Sequence, residues 1–187
     1  MTQAAQPHPT TIWTIGHSTH AIEEFLRVLD AHRIEAIADV RRFPGSRKHP
    51  QFGREALEPT LAAHGIAYLW LPELGGRRTP SPQSPNTAWR NAAFRGYADH
   101  MAGEEFARGM AKLLALAADA RTAILCAEAV WWRCHRALIS DALCARAIAV
   151  MHISDAQHAT AHPLTEPARI VDGRLSYAAE PEQQRLL

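Results

Sequence analysis

The sequence predicts an α/β fold. It should form one three-layer domain with a mainly parallel sheet of about five strands, flanked by helices and followed by a C-terminal hairpin or tail. Three observations predict it. Short apolar runs alternate along the chain with segments of helical periodicity. Strands separated by helices pair in parallel through right-handed crossovers. The 187 residues are 47% hydrophobic and 21% charged, enough to build one core and unlike a disordered chain.

The first strand is expected over residues 12–15, closed by Gly16. A helix follows over about 20–32, where Ile22, Phe25, Leu26 and Leu29 make one apolar stripe. Glu23 and Glu24 suit the positive end of its dipole. The second strand covers 36–40, and a polar loop runs over 41–53. A shorter helix then ends at His64, with Gly65 as its left-handed terminator. Pro59 must start or kink that helix. The third strand is 67–71. Residues 72–91 carry four prolines, Gly75-Gly76 and Arg77-Arg78, and read as a long functional loop.

Helices are expected over 97–101 and 104–118, the second burying Phe106, Met110, Leu113, Leu114 and Ala117. A fourth strand over 123–126, a helix over 133–146 and a fifth strand over 148–153 follow. Residues 168–177 read as a hairpin turned by Asp172-Gly173, because that pair accepts positive φ angles. The expected organisation is a disordered segment over 1–11, one domain over 12–178 and a frayed end over 179–187.

Composition excludes several classes. A net charge of +1 shows no basic excess that advertises nucleic-acid binding, which is not favoured but stays open because a local basic patch fits within a neutral total. No 18-residue apolar run crosses a membrane, and the N-terminus lacks the pattern of a signal peptide. Three cysteines, at 126, 134 and 144, show no C-x-x-C spacing and read as reduced thiols of a cytosolic protein. Cys134 and Cys144, ten residues apart on one expected helix, are about 15 Å apart and cannot bridge. No nucleotide-binding glycine motif is present, so no cofactor is assigned.

Parallel α/β sheets bind ligands outside the carboxyl ends of their strands. Gly16-His17-Ser18 follows the first strand, and Asp39-Val40-Arg41-Arg42 closes the second. Pro72-Glu73 and two glycines follow the third. Cys126, Glu128 and Arg133-Cys134-His135-Arg136 follow the fourth. Titratable residues thus crowd one edge. Arg41 and Arg136, from separate strand ends, could clamp a phosphate or carboxylate, with Arg133 beside them. Glu128 could serve as general base or as nucleophile, kept ionised by a nearby arginine. His17 and His135 are the acid/base candidates among eleven histidines. Trp132, beside Trp131, offers a ring face to a base or sugar.

Cys126 and Cys134 are candidate reactive thiols, Cys134 at the start of a helix that favours thiolates. Six residues, none glycine, separate Cys126 from Arg133, which argues against a phosphatase-type loop. A metal site from Cys126, Cys134, His135 and His17 has no ligand-pair spacing behind it, so no metal is assigned.

The ordered set Ile15-Gly16-His17-Ser18, Asp39-Val40-Arg41, Phe43-Pro44-Gly45-Ser46-Arg47, Pro50-Gln51-Phe52, Leu71-Pro72-Glu73-Leu74-Gly75-Gly76, Phe94-Arg95-Gly96-Tyr97, Cys126-Ala127-Glu128 and Cys134-His135-Arg136 resembles the DUF488 family. These are small, mostly bacterial proteins of uncharacterised function, and the resemblance spans roughly residues 12–170. It implies a compact cytoplasmic α/β domain and no particular reaction. Arg41, Cys126, Glu128, His135 and Arg136 fall on signature positions. Gly53, where many relatives carry asparagine, and the bulky Trp131-Trp132 depart from the pattern.

The reading that results is a cytosolic hydrolase or transferase acting on a small anionic, nucleotide-like metabolite. The competing readings are a non-catalytic nucleic-acid or ligand-binding module, a rhodanese- or phosphatase-like thiol enzyme, and a Cys/His metal site.

Overall fold

The computed structural model describes residues 11–45 and 47–179. Residues 1–10 and 180–187, which hold nearly all of the expected disordered start and frayed end, lie outside the described residues. The main sheet has six strands, β1 (Thr11–Gly16), β2 (Ala36–Asp39), β3 (Ala67–Trp70), β4 (Thr122–Cys126), β5 (Ala149–Ile153) and β6 (Ala159–Ala161), in the order β3-β2-β4-β1-β5-β6. The first five are parallel neighbours, and β6 pairs antiparallel with β5. β6 was not expected. It is three residues long and too short to show periodicity.

Helices cover both faces. On one, α1 (Ile22–Ala31) and α2 (Arg54–Ala63) bury Phe25, Leu29, Leu57 and Leu61 against Ile15, Ile37 and Leu125. On the other, α3 (Ala92–Met101), α4 (Glu104–Asp119) and α5 (Arg136–Cys144) bury Tyr97, Phe106, Leu113 and Leu138 against Ile12, Ala38 and Ile124. Alternate residues of each strand thus feed two cores, which is the three-layer arrangement. The C-terminal hairpin joins β7 (Arg169–Val171) to β8 (Arg174–Ser176), and both Asp172 and Gly173 take positive φ, as the tight turn requires.

Three local expectations change. Helix α3 begins at Ala92, five residues earlier than expected, because the Asn91 side chain accepts from the N–H groups of Ala93 and Phe94. Pro59 sits inside α2 and does not start it. Helix α5 begins at Arg136, not at 133. Trp131–Arg133 is a single 3-10 turn, and Cys134 is extended at φ −124° and ψ 149°. Cys134 therefore precedes the helix and is not in its first turn.

The long loop after β3 is pinned. Arg78 makes a bidentate pair with Glu105, both contacts 3.1 Å. Asp99 accepts from the Ser81 backbone, the Ser84 hydroxyl and the Asn86 amide.

Candidate functional site

Chain direction opens the site. β1 and β4 are neighbours, but β1 leads to α1 on one face and β4 leads to α5 on the other. Divergent exits at adjacent carboxyl ends leave a crevice. A cavity of about 710 Å³ lies there, lined by His17, Arg41, Cys126, Glu128, Cys134 and His135 among others. A groove of about 460 Å³ lined by Phe106, Arg146 and Tyr177 holds none of these groups, so chemistry identifies the site.

Close approach shapes the walls. A Cβ on Gly16 would stand 1.9 Å from the Glu128 carbonyl oxygen, so only glycine lets the loop after β4 lie against β1. A Cβ on Gly76 would meet the His135 ring at 2.8 Å. Gly76 thereby seats His135, while a Cβ on Gly75 would meet Arg42 and the Pro72 carbonyl oxygen at 2.9 Å. Backbone strain also gathers here. Of five non-glycine residues at positive φ among the described residues, Arg33 and Ala147 follow helices and Asp172 is in the hairpin turn. The other two, Ser18 and Arg77, line the cavity.

Arg41 is held mainly by protein groups. Its Nε donates to Asp39 Oδ1 at 2.9 Å, and NH2 donates to Oδ2 at 2.5 Å. NH1 donates to the Phe52 carbonyl at 2.7 Å and lies 3.3 Å from His17 Nε2. A single NH2 hydrogen is left for a ligand. Burial opposes the charge, but Asp39 holds the guanidinium pKa above its ordinary value. Tyr68 donates to Asp39 Oδ2 at 2.6 Å and completes the cluster.

His17 is neutral. Burial, then Arg41, lowers its pKa to about 4. With Nδ1–H donating to the Ser18 carbonyl at 3.0 Å, Nε2 is an acceptor facing Arg41. The ring stacks on Phe52 at 4.3 Å. The lone pair a base would use is thus already engaged, and His17 props Arg41.

Arg136 is not at the cavity. Its NH2 donates to the carbonyls of Glu128 at 2.5 Å and Ala129 at 3.3 Å, and NH1 donates to Thr14 Oγ1 at 3.3 Å. It brackets the loop after β4 and does not form the expected clamp with Arg41. Trp132 also stands apart. It is 62% exposed, packs edge-on to Trp131, and is outside the cavity lining. Phe43 and Phe94 supply the aromatic surface instead.

Arg133 does line the cavity, as does Arg77 of the long loop after β3. Neither side chain has a hydrogen-bond or ion-pair partner among the described residues. Glu128 is exposed at the rim, its Oε1 accepting from the Val130 N–H at 3.2 Å. No carboxylate besides Glu128 lines the cavity among the described residues.

Cys126, Cys134 and His135 converge, their ligating atoms all within 4.8 Å of one another. Cys134 Sγ lies 3.6 Å from His135 Nδ1, and His135 Nε2 donates to the Val40 carbonyl at 3.2 Å. A hydrogen bond from Cys126 holds the Cys134 thiol well below the usual thiol range, with His135 and Arg136 assisting against burial. The same bond and burial push Cys126 up. Part of the loop between Cys126 and Arg133 is closed by its own hydrogen bonds. The amides of Val130, Arg133 and Cys134 donate within it.

Behind the site runs a polar chain that periodicity did not reveal. Arg136 donates to Thr14, and Thr14 Oγ1 lies 2.7 Å from His152 Nδ1. His152 Nε2 is 2.9 Å from His162 Nδ1, and His162 Nε2 is 3.0 Å from Asp141 Oδ1. Thr165 and Tyr177 donate to Asp141 Oδ2. One tautomer assignment satisfies every link, with each proton pointing toward Asp141.

Fold and site together define a single α/β domain with a crevice site at the carboxyl ends of its central strands. A family model described as "Domain of unknown function DUF488" matches residues 21–143, and the chain belongs to that family. Nothing among the curated proteins or the solved structures matches it. No helix among the described residues is long and apolar enough to cross a membrane.

Proposed function

We propose that this protein is a cytosolic hydrolase or transferase that acts on a small anionic, nucleotide-like metabolite in the carboxyl-edge cavity. One observation carries the reading: Arg77 and Arg133, whose side chains have no partner among the described residues, line the cavity against Glu128, and Arg41 lies beside them already paired with Asp39. Such a surplus attracts an anion, and its low-dielectric walls strengthen the attraction. The volume suits a metabolite, since small-molecule sites are typically about 300–1,000 Å³. Phe43 and Phe94 offer ring faces to a base.

In this reading Arg133 and Arg77 grip the anion, and Arg41 adds its one remaining N–H. Glu128 acts as base or nucleophile at the rim. His135, anchored on Val40, orders the cavity wall beside it.

Two measurements test the reading. Nucleoside monophosphates should bind by calorimetry. A labelled single-stranded oligonucleotide should bind no better than they do and without a steep salt slope. Steeply salt-dependent binding of the oligonucleotide alone would mean a nucleic-acid module instead. Once a turned-over ligand is found, Glu128→Gln should keep its binding and lose turnover by about 10²–10⁴-fold. Unchanged turnover removes Glu128 from the chemistry.

A further inference from the structure

We propose that Cys126, Cys134 and His135 form a binding site for one thiophilic divalent cation of the zinc type, with its fourth coordination position open to the cavity. Two thiolates and an imidazole are the donor set such a cation prefers. Nothing in the sequence spacing announces it, because the ligands come from the end of β4 and from the turn before α5, eight and nine residues apart.

Geometry carries the proposal. Zinc–sulfur bonds of about 2.3 Å and zinc–nitrogen bonds of about 2.0–2.1 Å at a tetrahedral angle put sulfur and nitrogen roughly 3.6 Å apart. Cys134 Sγ and His135 Nδ1 already stand 3.6 Å apart. The third donor, Cys126 Sγ, lies within 4.8 Å of both, against a tetrahedral sulfur–sulfur edge of roughly 3.8 Å. Closing the triangle asks for about 1 Å of side-chain movement at most.

The surroundings fit a metal ligand set. His135 Nε2 donates to the Val40 carbonyl, which leaves the lone pair on Nδ1, the atom facing the thiols. A metal-bound histidine is oriented in this way by a carbonyl or carboxylate behind it. The His135 ring rests on Gly76, where a side chain would collide with Nδ1. Cys126 and Cys134 are 8% and 4% exposed, so both thiols sit in a largely dry wall, and His135 is half-buried beside them. The buried Arg136 guanidinium stands close enough to both sulfurs to favour their charged forms.

Three protein ligands leave one position free, the pattern of metal sites that bind a water or a ligand oxygen. All three ligands line the same cavity as Arg133 and Glu128, so the free position faces the proposed anion site. His17 does not complete the set. Its ring nitrogens face Ser18 and Arg41. The inference shares the cavity with the reading above but does not depend on which anion, if any, binds there.

The test is a titration of chelator-treated, reduced protein with cobalt(II), then zinc. One equivalent of cobalt should produce a thiolate-to-cobalt charge-transfer band and tetrahedral visible bands, and zinc should abolish them. Cys134→Ser and Cys126→Ser should each weaken the charge-transfer band, and Cys144→Ser should keep it whole. If the serine variants fail to fold, the wild type still decides. One equivalent of zinc should slow the reaction of exactly two thiols with an alkylating reagent, identified by peptide mapping as Cys126 and Cys134. No band and no protection would overturn the proposal, as would a band of undiminished intensity in Cys134→Ser. Formation of a Cys126–Cys134 disulfide in protein that never takes up cobalt would assign the pair a redox role instead. Anion binding is measured on the metal-free protein, so either inference can fail while the other stands.

Discussion

Arg41 and Arg136 look equivalent in the sequence, and their surroundings make them different. Arg41 faces Asp39, two residues back on the same strand end, and becomes half of a buried ion pair with side chains 6% and 0% exposed. Removing one partner of such a pair leaves the other charged and dry. Arg41→Ala is therefore expected to destabilise the fold by about 3–5 kcal/mol, measured by urea unfolding. A midpoint close to that of wild type would mean that Asp39 finds another partner. Arg136 holds two backbone carbonyls of the loop after β4 and leaves its buried Nε without a partner among the described residues. The sequence made both arginines visible as members of one edge. It did not show which way each guanidinium turns, because that depends on acceptors supplied by Thr14, Phe52 and the loop carbonyls. Arg133, one turn earlier and unpaired among the described residues, takes the ligand-facing place that Arg136 was expected to fill.

At the scale of elements, the strand ends were legible and the joints were not. A strand-end rule located His17, Arg41, Cys126, Glu128, Cys134 and His135 at one edge, and parallel pairing puts them there. The convergence of Cys126 with Cys134 was hidden, because it depends on a 3-10 turn over Trp131–Arg133 and not on a helical first turn. The start of α3 was legible in principle, since Asn91 is a good cap. Asn91→Ala should cost about 1 kcal/mol of stability, measured by thermal or urea unfolding.

The chain from Arg136 to Asp141 ties β1, β5, α5 and the segment after β6 together, and it predicts a pH dependence. Burial, then His162 and Arg136, lowers the His152 pKa from 6.5 to about 3. The folded state keeps His152 neutral where the unfolded chain would protonate it, so unfolding binds protons. This contribution to stability is whole above pH 6.5 and is lost as pH falls toward 3. Stability of the wild type should thus decline more steeply over that window than stability of His152→Gln, measured by urea midpoints at each pH. Parallel curves would show that the histidine is not kept neutral.

For the whole molecule, a net charge of +1 conceals an uneven distribution. The cavity gathers the unpaired Arg77 and Arg133 and the Asp39-paired Arg41 around one lining carboxylate, while acidic residues elsewhere balance the total. Composition argued against long nucleic acid, and only the fold shows how the basic loop residues separate. Arg77 comes to the cavity on a strained backbone beside Gly76, whereas Arg78 is spent on Glu105. The central claim is that this cavity holds a small anion by its unpaired arginines. The most direct measurement is thermal melting of metal-free wild type and Arg133→Glu, each with phosphate, sulfate and a nucleoside monophosphate. Because Arg133 is exposed, the two proteins should melt alike without ligand. At least one anion should raise the wild-type melting temperature by mass action, and Arg133→Glu should lose that response. A variant that responds to every anion as the wild type does would contradict the account.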